Sequence, residues 1–137
     1  MKNRRTFLKI LSASPLLACS APSGAPAKFG DVSGGNVSAT AVGMLAVVPN
    51  APALLARDEQ GLYAMTITCT HEGCDIAPSG TILVCPCHGS HFDSNGNVLQ
   101  GPAGSPLTHF AVVVDAMGDI TVQGETQVDA SVRTPVA

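Results

Sequence analysis

Four of the five cysteines of this 137-residue chain fall in two compact boxes, and each box also carries histidine. The first reads Cys69-Thr70-His71-Glu72-Gly73-Cys74, the second Cys85-Pro86-Cys87-His88-Gly89-Ser90-His91-Phe92. The C-x-H and C-x-x-H spacings each offer one thiolate and one imidazole from a tight turn. Together Cys69, His71, Cys85 and His88 make an S₂N₂ donor set. That set suits a tetrahedral zinc ion, or a [2Fe-2S] centre with two cysteines on one iron and two histidines on the other. Cys74 and Cys87 are left over, one per box. In an exported protein, which meets oxidising conditions, a disulfide between the boxes is expected. It would staple the two loops across a cluster, whereas a plain zinc site has no need of one.

The elements that must position these boxes are short strands. Residues 62–69 alternate loosely and run into the first box, and residues 81–84 run into the second. Residues 44–48 end at Pro49-Asn50, residues 53–57 end at the hairpin signal Asp58-Glu59-Gln60-Gly61, and residues 107–114 and 120–123 flank Met117-Gly118-Asp119 as a closing hairpin. Gly and Pro are frequent, Trp is absent and helix-length periodicity is scarce. The pattern predicts an all-β domain, a small antiparallel barrel or sandwich, with two loops carrying the chemistry. Tyr63 and Phe110 read as core, and His109 as an exposed strand residue. His91 matches no ligand position, and no nucleophilic triad, phosphate loop or paired-carboxylate site is present.

The boxes resemble the paired motifs C-T-H-x-G-C and C-P-C-H-G-S-x-(Y/F) of the Rieske [2Fe-2S] family. The resemblance implies one [2Fe-2S] cluster per chain, with Cys69 and Cys85 on the inner iron and His71 and His88 on an outer iron near the surface. It implies a Cys74–Cys87 disulfide and a Rieske-like fold of the branch found in respiratory complexes, not that of the oxygenase ferredoxins. Only 13 residues separate His71 from Cys85, which suggests a trimmed connection. Gly101-Pro102-Ala103 resembles the family's proline loop over the cluster, with Gly104 where a second Pro is usual. Ser90 matches a serine whose hydroxyl bonds a bridging sulfide. Phe92 stands where high-potential members have a Tyr that bonds a ligand sulfur. Glu72 takes a slot that is Leu in quinol-oxidising complexes. Outer groups of this kind tune such a centre.

The first nine residues carry Lys2, Arg4, Arg5 and Lys9, and a short apolar stretch follows over residues 10–18. About 20 apolar residues are needed to cross a bilayer, so this reads as a secretory leader. Arg4-Arg5-Thr6-Phe7-Leu8-Lys9 resembles a twin-arginine signal, a route for proteins exported folded with their cofactor. Leu16-Leu17-Ala18-Cys19 resembles a bacterial lipobox, with Cys19 as lipidation candidate; the alternative is cleavage after Ala25-Pro26-Ala27. The resulting division is a signal peptide over residues 1–19, a flexible linker over 20–35, the Rieske domain over 36–126 and a C-terminal tail over 127–137.

Beyond the leader, Lys28, Arg57 and Arg133 face ten acidic side chains, a formal charge of −7. That balance excludes nucleic acid as a partner and favours a basic protein. The expected function is one-electron transfer by an exported bacterial protein, periplasmic or held at the membrane by a lipid on Cys19. Its expected partner is another redox protein, a cytochrome or an oxidase subunit. Three alternatives compete. One is the iron–sulfur subunit of a quinol:cytochrome c oxidoreductase, which usually carries a transmembrane helix that this chain lacks. The others are the small Rieske subunit of a molybdenum-type oxidase and a structural zinc module.

Overall fold

The computed structural model describes residues 27–137. Its strands are β1 (Asp31–Asn36), β2 (Leu45–Val47), β3 (Ala53–Asp58), β4 (Gly61–Thr66), β5 (Ala77–Ser79), β6 (Ile82–Val84), β7 (His91–Phe92), β8 (Val98–Gln100), β9 (His109–Val114) and β10 (Asp119–Val128). They form an antiparallel six-stranded sheet in the order β1-β10-β9-β4-β3-β2 and a smaller sheet in the order β5-β6-β7-β8. The only helical turn among the described residues is a 3-10 turn at Val37–Ala39, so the all-β expectation holds. Among the described residues no helix is long and apolar enough to cross a membrane.

The β3–β4 hairpin is the keel of the molecule. Asp58 accepts hydrogen bonds from the Gln60 and Gly61 amides and so closes the turn. Alternate side chains then serve two cores, as the period of two dictates. Leu54, Ala56, Tyr63, Met65 and Ile67 join Cys69, Cys85 and Phe92 on one face. Ala53, Leu55, Leu62 and Ala64 join Phe110, Val112, Ile120 and Val122 on the other. With both faces covered, every residue of β4 is buried. A strand fixed on both sides is a rigid stalk for the loop that follows it.

Two boundaries move relative to the sequence reading. All of β1 but Asn36 falls in the stretch assigned to a linker, yet β1 pairs with β10 from Asp31↔Gln123 to Asn36↔Asp119. β10 runs to Val128, and the segment beyond it returns to the body. The Leu62 and Thr134 backbones exchange hydrogen bonds of 2.8 Å, and Arg133 Nε bonds Asp58 at 2.6 Å. Neither strand pairing has a local signal. Asp-Val-Ser-Gly-Gly-Asn is a poor strand sequence that is ordered by its distant partner.

His109 also departs from expectation. It is 2% exposed, lies 5.9 Å from Tyr63 in a near-parallel stack, and donates from Nε2 to the Asn95 carbonyl at 2.8 Å. Tyr63 and Phe110 are core residues, as expected.

Candidate metal centre

Two loops of the same design leave the ends of β4 and β6. In the first, the Cys69 amide donates to the Cys74 carbonyl at 2.8 Å and the Gly73 amide to the Cys69 carbonyl at 3.0 Å. In the second, the Cys85 amide donates to the Ser90 carbonyl at 2.8 Å and the Gly89 amide to the Cys85 carbonyl at 3.1 Å. Gly73 (φ 78°) and Gly89 (φ 75°) occupy equivalent left-handed positions, where a Cβ would be strained. Each loop therefore starts on a cysteine, turns on a glycine, and holds a histidine between them. A Cys74–Cys87 disulfide joins the loops.

The donor atoms segregate by depth. Cys69 and Cys85 are free thiols, 1% and 2% exposed. Burial pushes the Cys69 thiol up; the neighbouring Cys85 thiol adds to this, against hydrogen bonds from the His71 backbone and Ser90. Two adjacent buried thiols ionise together only if a cation compensates them, as a bound metal does. His71 and His88 lie outside them, ring to ring at 4.9 Å and nearly perpendicular. His71 Nδ1 is buried with no protein partner. His88 turns Nε2 outward, 3.5 Å from the Glu72 carboxylate.

This segregation separates the two kinds of centre that the sequence left open. Four donors about 2.0–2.3 Å from one zinc ion all lie within about 4 Å of each other. The donor atoms that do gather within 4.8 Å are those of Cys74, Cys85 and Cys87, and those of His71, Glu72 and His88. Cys74 and Cys87 are consumed by their disulfide. No three of Cys69, His71, Cys85 and His88 form such a group, so the set does not close on a single ion. Thiols inside and imidazoles outside fit a dinuclear cluster with one ligand type on each metal.

A third loop covers the pair. The Ser90 hydroxyl, fully buried, accepts the Ala103 amide at 3.0 Å. Thr70 Oγ1 donates to the Ser105 carbonyl at 2.7 Å, and Gln100 Nε2 to the Gly89 carbonyl at 3.0 Å. The segment around exposed Pro102 is thus tied to both cysteine–histidine loops although Gly104 replaces a second proline. Sequence reasoning missed Thr70 and Gln100; Thr70 carried a signal as the middle residue of C-T-H, and Gln100 carried none. Phe92, 0% exposed, packs in the core that contains the free cysteines Cys69 and Cys85. His91 sits in β7 opposite Gln100 and belongs to neither group of gathered donor atoms.

Comparisons agree with this geometry. Residues 28–111 match the family model described as Rieske [2Fe-2S] domain. The fold and the twin loops define an iron–sulfur electron-transfer domain, and the chain belongs to the Rieske family, whose cofactor is a [2Fe-2S] cluster. The cytochrome b6-f complex iron-sulfur subunit of Prochlorococcus marinus is 40% identical over 63 residues, covering 44% of this chain and 34% of that protein. The chain spans about a third or less of the curated relatives first matched. Among solved structures, the plasma membrane Rieske protein PetC3 of Synechocystis superposes with a TM-score of 0.54 at 29% identity, over 67% of this chain and 98% of that one. A complex of oxygenase and ferredoxin in carbazole 1,9a-dioxygenase gives 0.52 at 25% identity, over 72% and 97%.

Proposed function

We propose that Cys69, His71, Cys85 and His88 hold the cluster, and that the chain is an exported one-electron carrier whose histidine end meets a redox protein, a cytochrome or an oxidase subunit. The observation that carries this reading is the buried, unpartnered His71 Nδ1 beside two free buried thiols. When bound, the cluster accepts and releases single electrons. The chain supplies the setting. Phe92, Leu83 and Ile76 keep water from the cysteine side, and the Ser90 hydroxyl, whose oxygen accepts the Ala103 amide, keeps its proton free to donate to the Cys69 sulfur. His71 and His88 bring the centre to the surface. A second reading, the iron–sulfur subunit of a quinol-oxidising complex, is favoured by the b6-f relatives.

Export by the twin-arginine route, and a lipid on Cys19 that leaves the protein periplasmic or membrane-held, belong to the same proposal. Those residues lie outside the described ones. The plasma-membrane location in the name of the Synechocystis protein supports a membrane-side site of action.

Protein matured in the cytoplasm is expected to be coloured, with two irons and two labile sulfides per chain and the low average g value of a mixed ligand set when reduced. Stoichiometric zinc without visible absorbance overturns the reading. His88→Ala removes the cluster and His91→Ala leaves it; the reverse result reassigns the ligands. Arg4→Lys with Arg5→Lys retains the protein in the cytoplasm, and Cys19→Ala releases the mature domain from membranes.

A further inference from the structure

The six-stranded sheet leaves two strand edges open, and residues outside the metal centre line the seam between them. We propose that this seam takes up an extended, uncharged peptide strand of a partner protein, paired along β2. The surface is independent of which residues hold the cluster.

β1 and β2 end the strand order, so each has a hydrogen-bonded neighbour on one side only. The sheet curls until these ends approach. A Cβ on Gly34 of β1 would meet Leu55 Cδ2 of β3, the strand beside β2, at 3.1 Å. Between the edges remains a cavity of about 630 Å³, with Val32 and Gly34 on one side and Met44, Ala46, Val47 and Val48 on the other. Val47 is 46% exposed.

The register of β2 defines what this edge offers. Leu45, Ala46 and Val47 lie opposite Ala56, Leu55 and Leu54. The Val48 amide donates to the Ala53 carbonyl at 2.8 Å, and the Arg57 amide to the Met44 carbonyl at 3.1 Å. Bonded and unbonded pairs alternate in an antiparallel ladder, so Ala46 bonds β3 while the amides and carbonyls of Leu45 and Val47 point off the sheet. Among the described residues none of those groups has a backbone partner. Such a row is a template for a further strand, which binds through its main chain and places alternate side chains.

The chemistry of the seam selects the occupant. No charged side chain lines it, although ten acids face three cations beyond the leader. An ionic segment would lose its hydration there without a counter-charge, so the occupant is uncharged. A second copy carries the same excess of acids and is repelled. A lipid chain would cover the free amides and carbonyls of β2 without bonding them, which a peptide backbone does. The residues just before β1 are engaged elsewhere: Phe29 packs edge-on against Phe110 at 5.1 Å, over Gly124. No lining residue belongs to the cysteine–histidine loops, the covering loop or the small sheet. A partner strand held here attaches the domain and leaves the metal centre uncovered.

The test uses the oxidised, cluster-loaded chain and, as probe, the acetylated and amidated peptide Thr-Val-Thr-Val-Thr, with amide hydrogen exchange read residue by residue by NMR. The probe is expected to slow exchange at Leu45 and Val47 and to leave Ala46 and Val48, which already bond β3, unchanged. The same peptide N-methylated throughout has no donors and is expected to lose the effect. Val47→Pro removes an outward donor and no bond to β3, and weakens binding about fivefold, the equivalent of one backbone hydrogen bond. Val132→Ser, outside the cavity, changes nothing. Unchanged exchange at Leu45 and Val47 with the probe at millimolar concentration overturns the strand site. Undiminished binding of the N-methylated peptide overturns it in favour of a general apolar ligand. Dimerisation of the probe-free chain that itself protects Leu45 and Val47 overturns it in favour of a second copy. The visible spectrum of the cluster reports on the metal centre separately, so failure of either reading leaves the other standing.

Discussion

Phe92 and Ser90 border the same buried pair of sulfurs, yet one has no donor and the other has a hydroxyl whose oxygen is already engaged. Reduction adds negative charge to the cluster, so each donor aimed at sulfur favours the reduced form. Rieske potentials span about −150 to +300 mV, and about 1.4 kcal/mol is about 59 mV for one electron. A hydroxyl at position 92 is therefore expected to raise the potential by about 40–80 mV, if one hydrogen bond contributes about 1–2 kcal/mol. Ser90→Ala is expected to lower it. Protein-film voltammetry of Phe92→Tyr and Ser90→Ala checks both signs. An unmoved potential in Phe92→Tyr with the cluster intact shows that position 92 does not face a ligand sulfur.

At the level of elements, the covering loop gets its stiffness from hydrogen bonds instead of a second proline. Thr70 and Gln100 tie residues 100–105 to both cysteine–histidine loops. Each neutral bond contributes about 1 kcal/mol, roughly fivefold in the open population. Thr70→Val combined with Gln100→Leu is expected to speed cluster loss to a chelator several-fold, read as decay of visible absorbance, without shifting the thermal unfolding of the large sheet. These ties also mark how far the sequence was legible. The two cysteine–histidine loops, the 58–61 hairpin and the disulfide pair could be read because their determinants are contiguous or follow from leftover cysteines, one per box. Pairings made across the whole chain could not. β1 reads as linker until β10 is beside it, Gln100 reads as an anonymous edge residue, and His109 reads as exposed because nothing near it in sequence shows the Tyr63 ring that covers it.

For the whole molecule, one clamp joins tail, hairpin and small sheet. Arg133 bonds Asp58 through Nε and Asn95 through Nη2, and its guanidinium lies 3.8 Å from the centroid of Tyr63, which in turn stacks on His109. Burial opposes ionisation of Asp58, but hydrogen bonds from Arg133 and the turn amides win and hold its carboxyl below the usual range. Arg133→Ala is expected to cost about 2–3 kcal/mol in denaturant unfolding, from a charged hydrogen bond and a cation–π contact. His109 sets the pH response. Burial, with Arg133 nearby, pushes its pKa down against the Asn95 carbonyl, Asp129 and Asp93, and its Nδ1 has no acceptor should a proton arrive. The unfolded chain takes up that proton first, so stability is full above about pH 6.5 and falls as the pH drops below it. Unfolding curves between pH 7 and 5 check this, and His109→Gln is expected to flatten the slope. Finally, the small sheet and all three site loops lie between Thr66 and Thr108, whose backbones are hydrogen-bonded to each other at 2.9 Å. The insertion leaves and rejoins its host at a single point, between the neighbours β4 and β9. The insertion is thus separate in topology but not in packing: Leu54, Tyr63 and Met65 of the host share one core with Leu83, Phe92 and Leu107 of the insertion, so the sheet that carries the redox unit is also sealed by it.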